Sequence, residues 1–436
     1  MSTRRTFLAT CTGVSTWFAG CAAGDLNSTQ PVDSESRPSA TDVSTGPYWY
    51  THPDPSGNRF VEGAADLRDA TPIRIEVDSL PRWLVAHPAP RGSYWTVVTD
   101  DGRAGRWHVI GGNEVEEVRL DSRTADSPPV VASNAGEPHL LDDPSTKSPR
   151  SGQLVVPETD GGTRPRRIFV SRDGDLVVDG ENRDRFSIAA PPDVKPAAVG
   201  DGRFVLYGDV TDRYGHGALG DGLEPASLLV ADAVESRILS RTVLESPAVF
   251  EGLQPIVADV DGDGTPEIVT TVADSRNGAR LAIYSLTGER IATGPVYGPG
   301  WRHQLAVGPF GPDGETEIAA VLKPHVNRTL EYYRLEDGDL TVRATADGFA
   351  THTYGSRNID GAVAADIDDD GGVEVLLPTS DRRRLASVAR TGHGTSVRWT
   401  WELGDELRSN LTGVRLEDGG VAVGAATAEE ILVWSG

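Results

Sequence analysis

Cysteine and lysine are nearly missing from this sequence. Its 436 residues contain two cysteines, Cys11 and Cys21, and three lysines, Lys147, Lys195 and Lys323. Cys11 lies in a segment expected to be removed, so the mature chain holds no thiol pair, which excludes both a disulfide and a cysteine-metal site. Basic residues number 41 against 65 acidic ones, for a formal charge of −24. Without a basic surface, general binding to nucleic acid is excluded, and no such partner is expected. A strongly acidic chain in which arginine replaces lysine stays hydrated in concentrated salt, so a halophilic archaeal setting is expected. No apolar run is long enough to span a bilayer as a stable helix. No Gly-x-Ser-x-Gly elbow and no phosphate loop occur, so no motif marks a nucleophile or a nucleotide site.

The N-terminus carries an address. Ser2-Thr-Arg4-Arg5-Thr-Phe7-Leu8 resembles a twin-arginine export signal, and Phe18-Ala19-Gly20-Cys21 resembles a lipobox. Residues 1–21 are therefore expected to be cleaved and Cys21 lipidated. That places the chain on the extracellular face of the cytoplasmic membrane, held by a lipid anchor. Residues 22–46 are rich in Ser, Thr, Asp and Pro, cannot bury a core, and read as a disordered tether. Residues 47–72 form an N-terminal extension, and 73–436 the folded domain.

Two nine-residue loops carry the strongest chemical signal, Asp259-Val-Asp261-Gly-Asp263-Gly-Thr265-Pro-Glu267 and Asp366-Ile-Asp368-Asp-Asp370-Gly-Gly372-Val-Glu374. Each sets carboxylates at positions 1, 3, 5 and 9, with glycine at 6. A hard cation that takes six to eight oxygens needs this density of short acidic side chains, and the glycine lets the backbone turn around it. The carbonyls of Thr265 and Gly372 would add a further oxygen each, and about two calcium ions are expected. The loops close at position 9 and lead into strand-like sequence, unlike an EF-hand.

The loops belong to a repeat of about fifty residues. Pro255–Val260, Ile268–Ala273, Arg280–Ser285 and Glu289–Gly294 read as four short strands, and the same order returns from 305, 362 and 412. Equivalent first turns fall at Gly92, Gly136, Gly202, Gly264, Gly314, Gly371 and Gly419. Seven four-stranded antiparallel units bury their faces and hide their edges when stacked radially, so an all-β, seven-bladed β-propeller is predicted. The last unit has only three strands. Ile73-Arg-Ile-Glu-Val-Asp78 is expected to complete it and so clasp the two ends.

In this respect the chain resembles the FG-GAP or VCBS repeat family, which includes the integrin alpha-subunit propellers. The resemblance is clearest over 250–430. It implies calcium ligation by Asp259, Asp261, Asp263, Glu267, Asp366, Asp368, Asp370 and Glu374. The loop at Pro309–Glu317 has lost its first two carboxylates, so little or no ion is expected there.

Connectivity puts the acidic loops on one end of the propeller and the inter-blade links on the other. The links contain Trp301, Arg302, His303, His352, Arg357, Asn358, Arg408 and Asn410, and a second-to-third loop adds His325. Those residues predict a cationic, hydrogen-bonding surface for an anionic ligand, either an acidic polysaccharide or a surface protein. The same arginines could instead pair with neighbouring acids and tie the blades together. Asn27, Asn327 and Asn410 stand in glycosylation sequons, and a glycan at the last two would obstruct that surface. A non-catalytic binding module is the primary expectation. The alternative is a polysaccharide lyase with His303, His352 and Arg357 as base and charge stabiliser.

Overall fold

A computed structural model describes residues 48–436 except 119, 121–127, 135–136, 142–145, 149, 158–164 and 327. The export signal, Cys21, the tether, Asn27 and Asn327 all lie outside the described residues. Among the described residues there is no helix, and the strands form eight sheets.

In chain order, blade 1 comprises Pro81–Ala89, Gly92–Thr99, Ala104–Ile110 and Glu114–Val118. Blade 2 has only two strands of its own, Val131–Asn134 and Glu137–Leu140, and Tyr48–Trp49 pairs with the first of them. Blade 3 runs over Gln153–Val156, Arg166–Val170, Asp175–Asp179 and Arg183–Ser187. Blades 4, 5, 6 and 7 begin at Ala197–Gly200, Val249–Ala258, Arg302–Gly308 and Val363–Asp366. Blade 8 holds Thr412–Arg415, Val421–Ala426 and Glu430–Ser435, and Ile73–Glu76 pairs antiparallel with the last of these.

The predicted closure by an N-terminal strand is therefore present, but the blade count of seven is corrected to eight. The unit missed by its sequence lies in the interval between Gly136 and Gly202, where blade 3 is inserted whole. Blade 2 is so short that its turn and that of blade 3 fall inside one apparent repeat. The remaining departures from four strands are three in blade 2 and five in blade 7.

Apolar side chains from alternate strand positions fill each blade-to-blade interface, as stacked sheets require. One buried cluster runs from Ile168 through Phe204 to Tyr284 across blades 3, 4 and 5. Others join blades 5 and 6 through Ile256 and Ile318, blades 6 and 7 through Val321 and Val375, and blades 7 and 8 through Leu376 and Trp434. Ring closure is made by Leu84, Trp95 and Val97 of blade 1 against Ala422 and Val433 of blade 8. Here a Cβ on Gly424 would stand 2.1 Å from Trp95 Cζ3, so only glycine admits the indole. Arg106 of blade 1 crosses to blade 2, donating to the Pro138 carbonyl at 2.8 Å.

The extension is built into the ring along its inner edge over its described residues, 48–72. Asn410 Nδ2 donates to the Thr51 carbonyl, Ala198 N to Pro55, Val257 N to Ser56 and Ala364 N to Arg59. Asn58 exchanges two hydrogen bonds with the backbone of Val307. Phe60–Ala64 then runs parallel to Val363–Asp366, and Leu67 N donates to Ile367. One segment thus bonds to the innermost strands or their flanking residues in blades 2, 4, 5, 6, 7 and 8. Its backbone groups find partners that a solvated extension would take from water.

Candidate functional site

The two acidic loops join the first and second strands of blades 5 and 7, at the same end of the propeller. Both use the last carboxylate to hold the loop: Glu267 Oε2 accepts from Val260 N at 2.8 Å, and Glu374 Oε2 from Ile367 N at 3.1 Å. In the first loop, carboxylate oxygens of Asp259, Asp261 and Asp263 lie within 4.8 Å of one another and are exposed. In the second, the close group is Asp366, Asp368 and Glu374. One oxygen of each of these three is buried without a hydrogen-bond partner in the protein. Burial, followed by the charges of Asp368, Asp370 and Asp366, pushes the Glu374 carboxyl up to about 8 against the opposing Ile367 amide. This donor set fits a hard divalent cation, which would give those oxygens the partner they lack. Asp370, however, is paired with Arg398 at 2.8 Å.

In the degenerate loop of blade 6 an arginine stands among the remaining acids. Arg334 donates to Glu315 and to Glu317, each at 2.7 Å, and Arg390 reaches Glu317 at 2.8 Å. A guanidinium fork suits carboxylates in this way, so the loop keeps its shape with a covalent cation.

At the opposite end, the predicted ligand residues separate into two groups. Trp301, Arg302 and His303 are buried. Arg302 points between blades 5 and 6, donating to Tyr333 Oη at 3.0 Å and to the Ala279 carbonyl, with Glu331 3.6 Å away. His303 shares a 3.0 Å hydrogen bond with Thr351, and burial followed by Arg59 holds its ring well below the ordinary imidazole range. Asn410 is also buried, and its Nδ2 faces the carbonyls of Thr51, Leu84 and Leu411 within 3.1 Å, which leaves no room for a glycan.

Arg357 and Asn358 do reach the central axis. Arg357 pairs with Asp193 at 2.9 Å and Asp221 at 2.5 Å and donates to the Leu219 carbonyl, while Asn358 donates to the Arg82 carbonyl. Arg408 is exposed and lies 3.3 Å from Glu406. His325 and His352 stand together, their ring centroids 5.6 Å apart.

Three basic residues escaped the sequence analysis. Arg82, Arg150 and Lys195 join Arg357 and Trp83 around a pocket of about 160 Å³. Each precedes or begins an innermost strand, and Lys195 is one of only three lysines, so the position and rarity of Lys195 were legible signals. Beneath it Asp360, fully buried, accepts from Thr51 at 2.6 Å, Arg59 at 2.9 Å, His52 at 3.1 Å and Lys195 at 3.4 Å. Burial alone would raise its pKa, but Lys195, His52 and Arg59 hold the carboxyl well below the ordinary range. A larger open bowl of about 780 Å³ lies at the acidic-loop end, lined by Trp49, Asp54, Phe60, Glu62, Arg415 and Glu417 among others.

No family model matches this sequence, and no curated protein does. Among solved structures the chain is similar to BamB from Moraxella catarrhalis, with 10% identity and a TM-score of 0.49. That likeness covers 84% of this chain and 100% of the other. The propeller itself rests on the strand pairing and blade packing given above.

Proposed function

We propose that this protein is an exported, lipid-anchored and calcium-stabilised β-propeller that binds an anionic ligand without transforming it. The single observation that carries the binding reading is the axial pocket at the end away from the acidic loops. Arg82, Arg150, Lys195 and Arg357 line it, the last three held in place by Asp221, Asp193 and Asp360. Four cations thus converge on one small cavity in a protein of formal charge −24, and an anionic ligand would share them with those aspartates. Arginine forks favour carboxylate or sulfate groups, and the buried Trp83 ring braces the Arg82 guanidinium from 4.4 Å. An acidic polysaccharide is the favoured ligand class, with an acidic protein segment as the other.

The lyase alternative draws less support. His303 and His352 are 1% and 2% exposed, and Arg357 is already paired with two aspartates. A general base must reach a substrate proton within hydrogen-bond distance, and neither histidine is among the residues lining the axial pocket.

Binding is tested by retention on immobilised polyuronate in high salt. Wild type is expected to be retained, and Arg150→Ala, whose side chain is 47% exposed, to elute earlier with an unchanged melting curve. Equal elution of the variant, or no retention of wild type on uronate or sulfated polymer, would sink the reading. Calcium is tested separately by chelation, set out in the Discussion.

A further inference from the structure

We infer that His216, His325 and His352 form a site for a divalent transition-metal ion of the zinc type, with Glu251 orienting the first of these imidazoles. The site is separate from the acidic loops and stands independently of the anion-binding reading.

The three histidines come from three connections. His216 lies between the second and third strands of blade 4, His325 between those of blade 6, and His352 in the link from blade 6 to blade 7. Topology brings them to one end of the propeller, with ring centroids 6.2 Å apart for His216 and His325 and 5.6 Å apart for His325 and His352. Zinc–nitrogen bonds of about 2.1 Å set the centroids of tetrahedrally arranged imidazoles roughly 5 Å apart. As they stand, the three rings do not bring one nitrogen each within 4.8 Å of one another, so the part-exposed His216 and His325 must turn toward His352 to hold an ion.

The protonation pattern is that of ligands. His352 Nε2 lies 2.9 Å from the Ser356 carbonyl, so the proton sits on that nitrogen and the lone pair on Nδ1. His352 Nδ1 is buried, has no hydrogen-bond partner in the protein, and belongs to a side chain 2% exposed. His216 Nδ1 is 2.5 Å from Glu251 Oε1, an ion-pair contact without hydrogen-bond alignment, and a proton held between them would leave Nε2 as the donor atom. Metal-bound imidazoles are typically steadied in this way, by a carboxylate or carbonyl on the nitrogen that does not face the ion. His325 Nδ1 is likewise buried and unpartnered.

Unsatisfied polar atoms are concentrated here. Glu251 Oε2 and Glu224 Oε2 join the two imidazole nitrogens as buried groups without partners. Buried polar atoms are nearly always paired, so a cluster of this kind points to a group from outside the chain. Two carboxylates behind three imidazoles favour a cation over an anion, with Lys323 near His216 as the opposing charge. Imidazole donors select zinc, copper or nickel, whereas calcium requires a shell of oxygens.

The test uses the full chain, stripped with chelator and returned to buffer with millimolar calcium to occupy the acidic loops. Zinc is titrated calorimetrically, and cobalt is added in parallel for its visible absorption. One equivalent of zinc and a ligand-field band from cobalt are expected. His325→Ala, in an exposed loop, should weaken zinc binding at least ~100-fold, and Glu251→Gln about 10-fold with the stoichiometry unchanged. Melting curves confirm that each variant is folded. Absence of a zinc equivalent in wild type would overturn the assignment. So would wild-type affinity in both His325→Ala and His216→Ala.

Discussion

Arg59 donates to Asp360 at 2.9 Å across a sequence separation of 301 residues, and both side chains are buried. The bond fixes the inner-edge segment to the link between blades 6 and 7. Removing Asp360 strands the buried charges of Arg59 and Lys195, which costs about 3–5 kcal/mol, whereas Asp360 without Arg59 keeps Lys195, His52 and Thr51. Asp360→Asn should therefore lower the unfolding free energy by that order, and Arg59→Met by less. The double variant should cost less than the sum of the two, and additivity would show that the pair is not coupled.

Trimming the N-terminus separates tether from fold. Removal of residues 1–46 should leave the melting transition unchanged. Removal of 1–67 deletes the bonds to Val257, Val307, Ala364 and Ile367 and should prevent cooperative folding. Circular dichroism of the two truncated chains makes the comparison. An intact transition in the shorter chain would show that the segment contributes little.

Chelation should lower the melting temperature. An ion present at 100 times its dissociation constant stabilises by about 2.7 kcal/mol per site. Asp259→Asn and Asp261→Asn should remove one increment, and Asp366→Asn the other. Because Arg398 occupies Asp370, Arg398→Ala should tighten calcium binding at the second loop. Loss of calcium binding in that variant would mean that the arginine helps to build the loop.

His87 gives the fold an acid sensitivity. Both its ring nitrogens are buried without partners, and burial, then Arg106 and His108, push its pKa down to about 3. Below about 6.5 the unfolded chain binds a proton there that the native chain refuses. The His87 contribution is therefore full above that value and falls as the pH drops toward 3, by about 3 kcal/mol at pH ~4, while Glu374, raised to about 8, contributes a slope of opposite sign between its ordinary range and 8. Asp360 adds to the same slope only below about 3.9, where its unfolded form protonates. His87→Leu should flatten the pH dependence of the denaturation midpoint between about 6.5 and 4, and an unchanged slope would assign it elsewhere.

Gly424→Ala tests ring closure. Its Cβ would press on Trp95, a buried indole between blades 8 and 1. Overpacking of this kind costs about 1–3 kcal/mol, visible as a lower melting temperature. No change would show that Trp95 has room to move.

Much of this was written locally in the sequence. The acidic loops announce themselves by carboxylate spacing, and Ile73–Glu76 by the strand missing from the last unit. Blade 3 was hidden because repeat counting assumes units of even length, and blade 2 supplies only two strands. The segment at 48–67 was hidden for a different reason: it has no periodicity, and its partners lie as many as 359 residues away. The buried histidines and Arg302 could not be told from surface ones, because residue type does not reveal which way an inter-blade link turns. Lys195 is the exception, rare enough to have been noticed.

Ile73–Glu76 pairs with Glu430–Val433, and the stretch just before it lines the inner edge of blades yet to be made. The earliest part of the ring therefore waits for the latest. Blades 2 and 4 to 8 bond to this inner segment, and the circle is shut only when Glu430–Val433 is paired. Such distant pairings make folding slow. The barrier that delays closure also guards it, because no single blade can peel away without breaking the clasp or dragging on the thread inside.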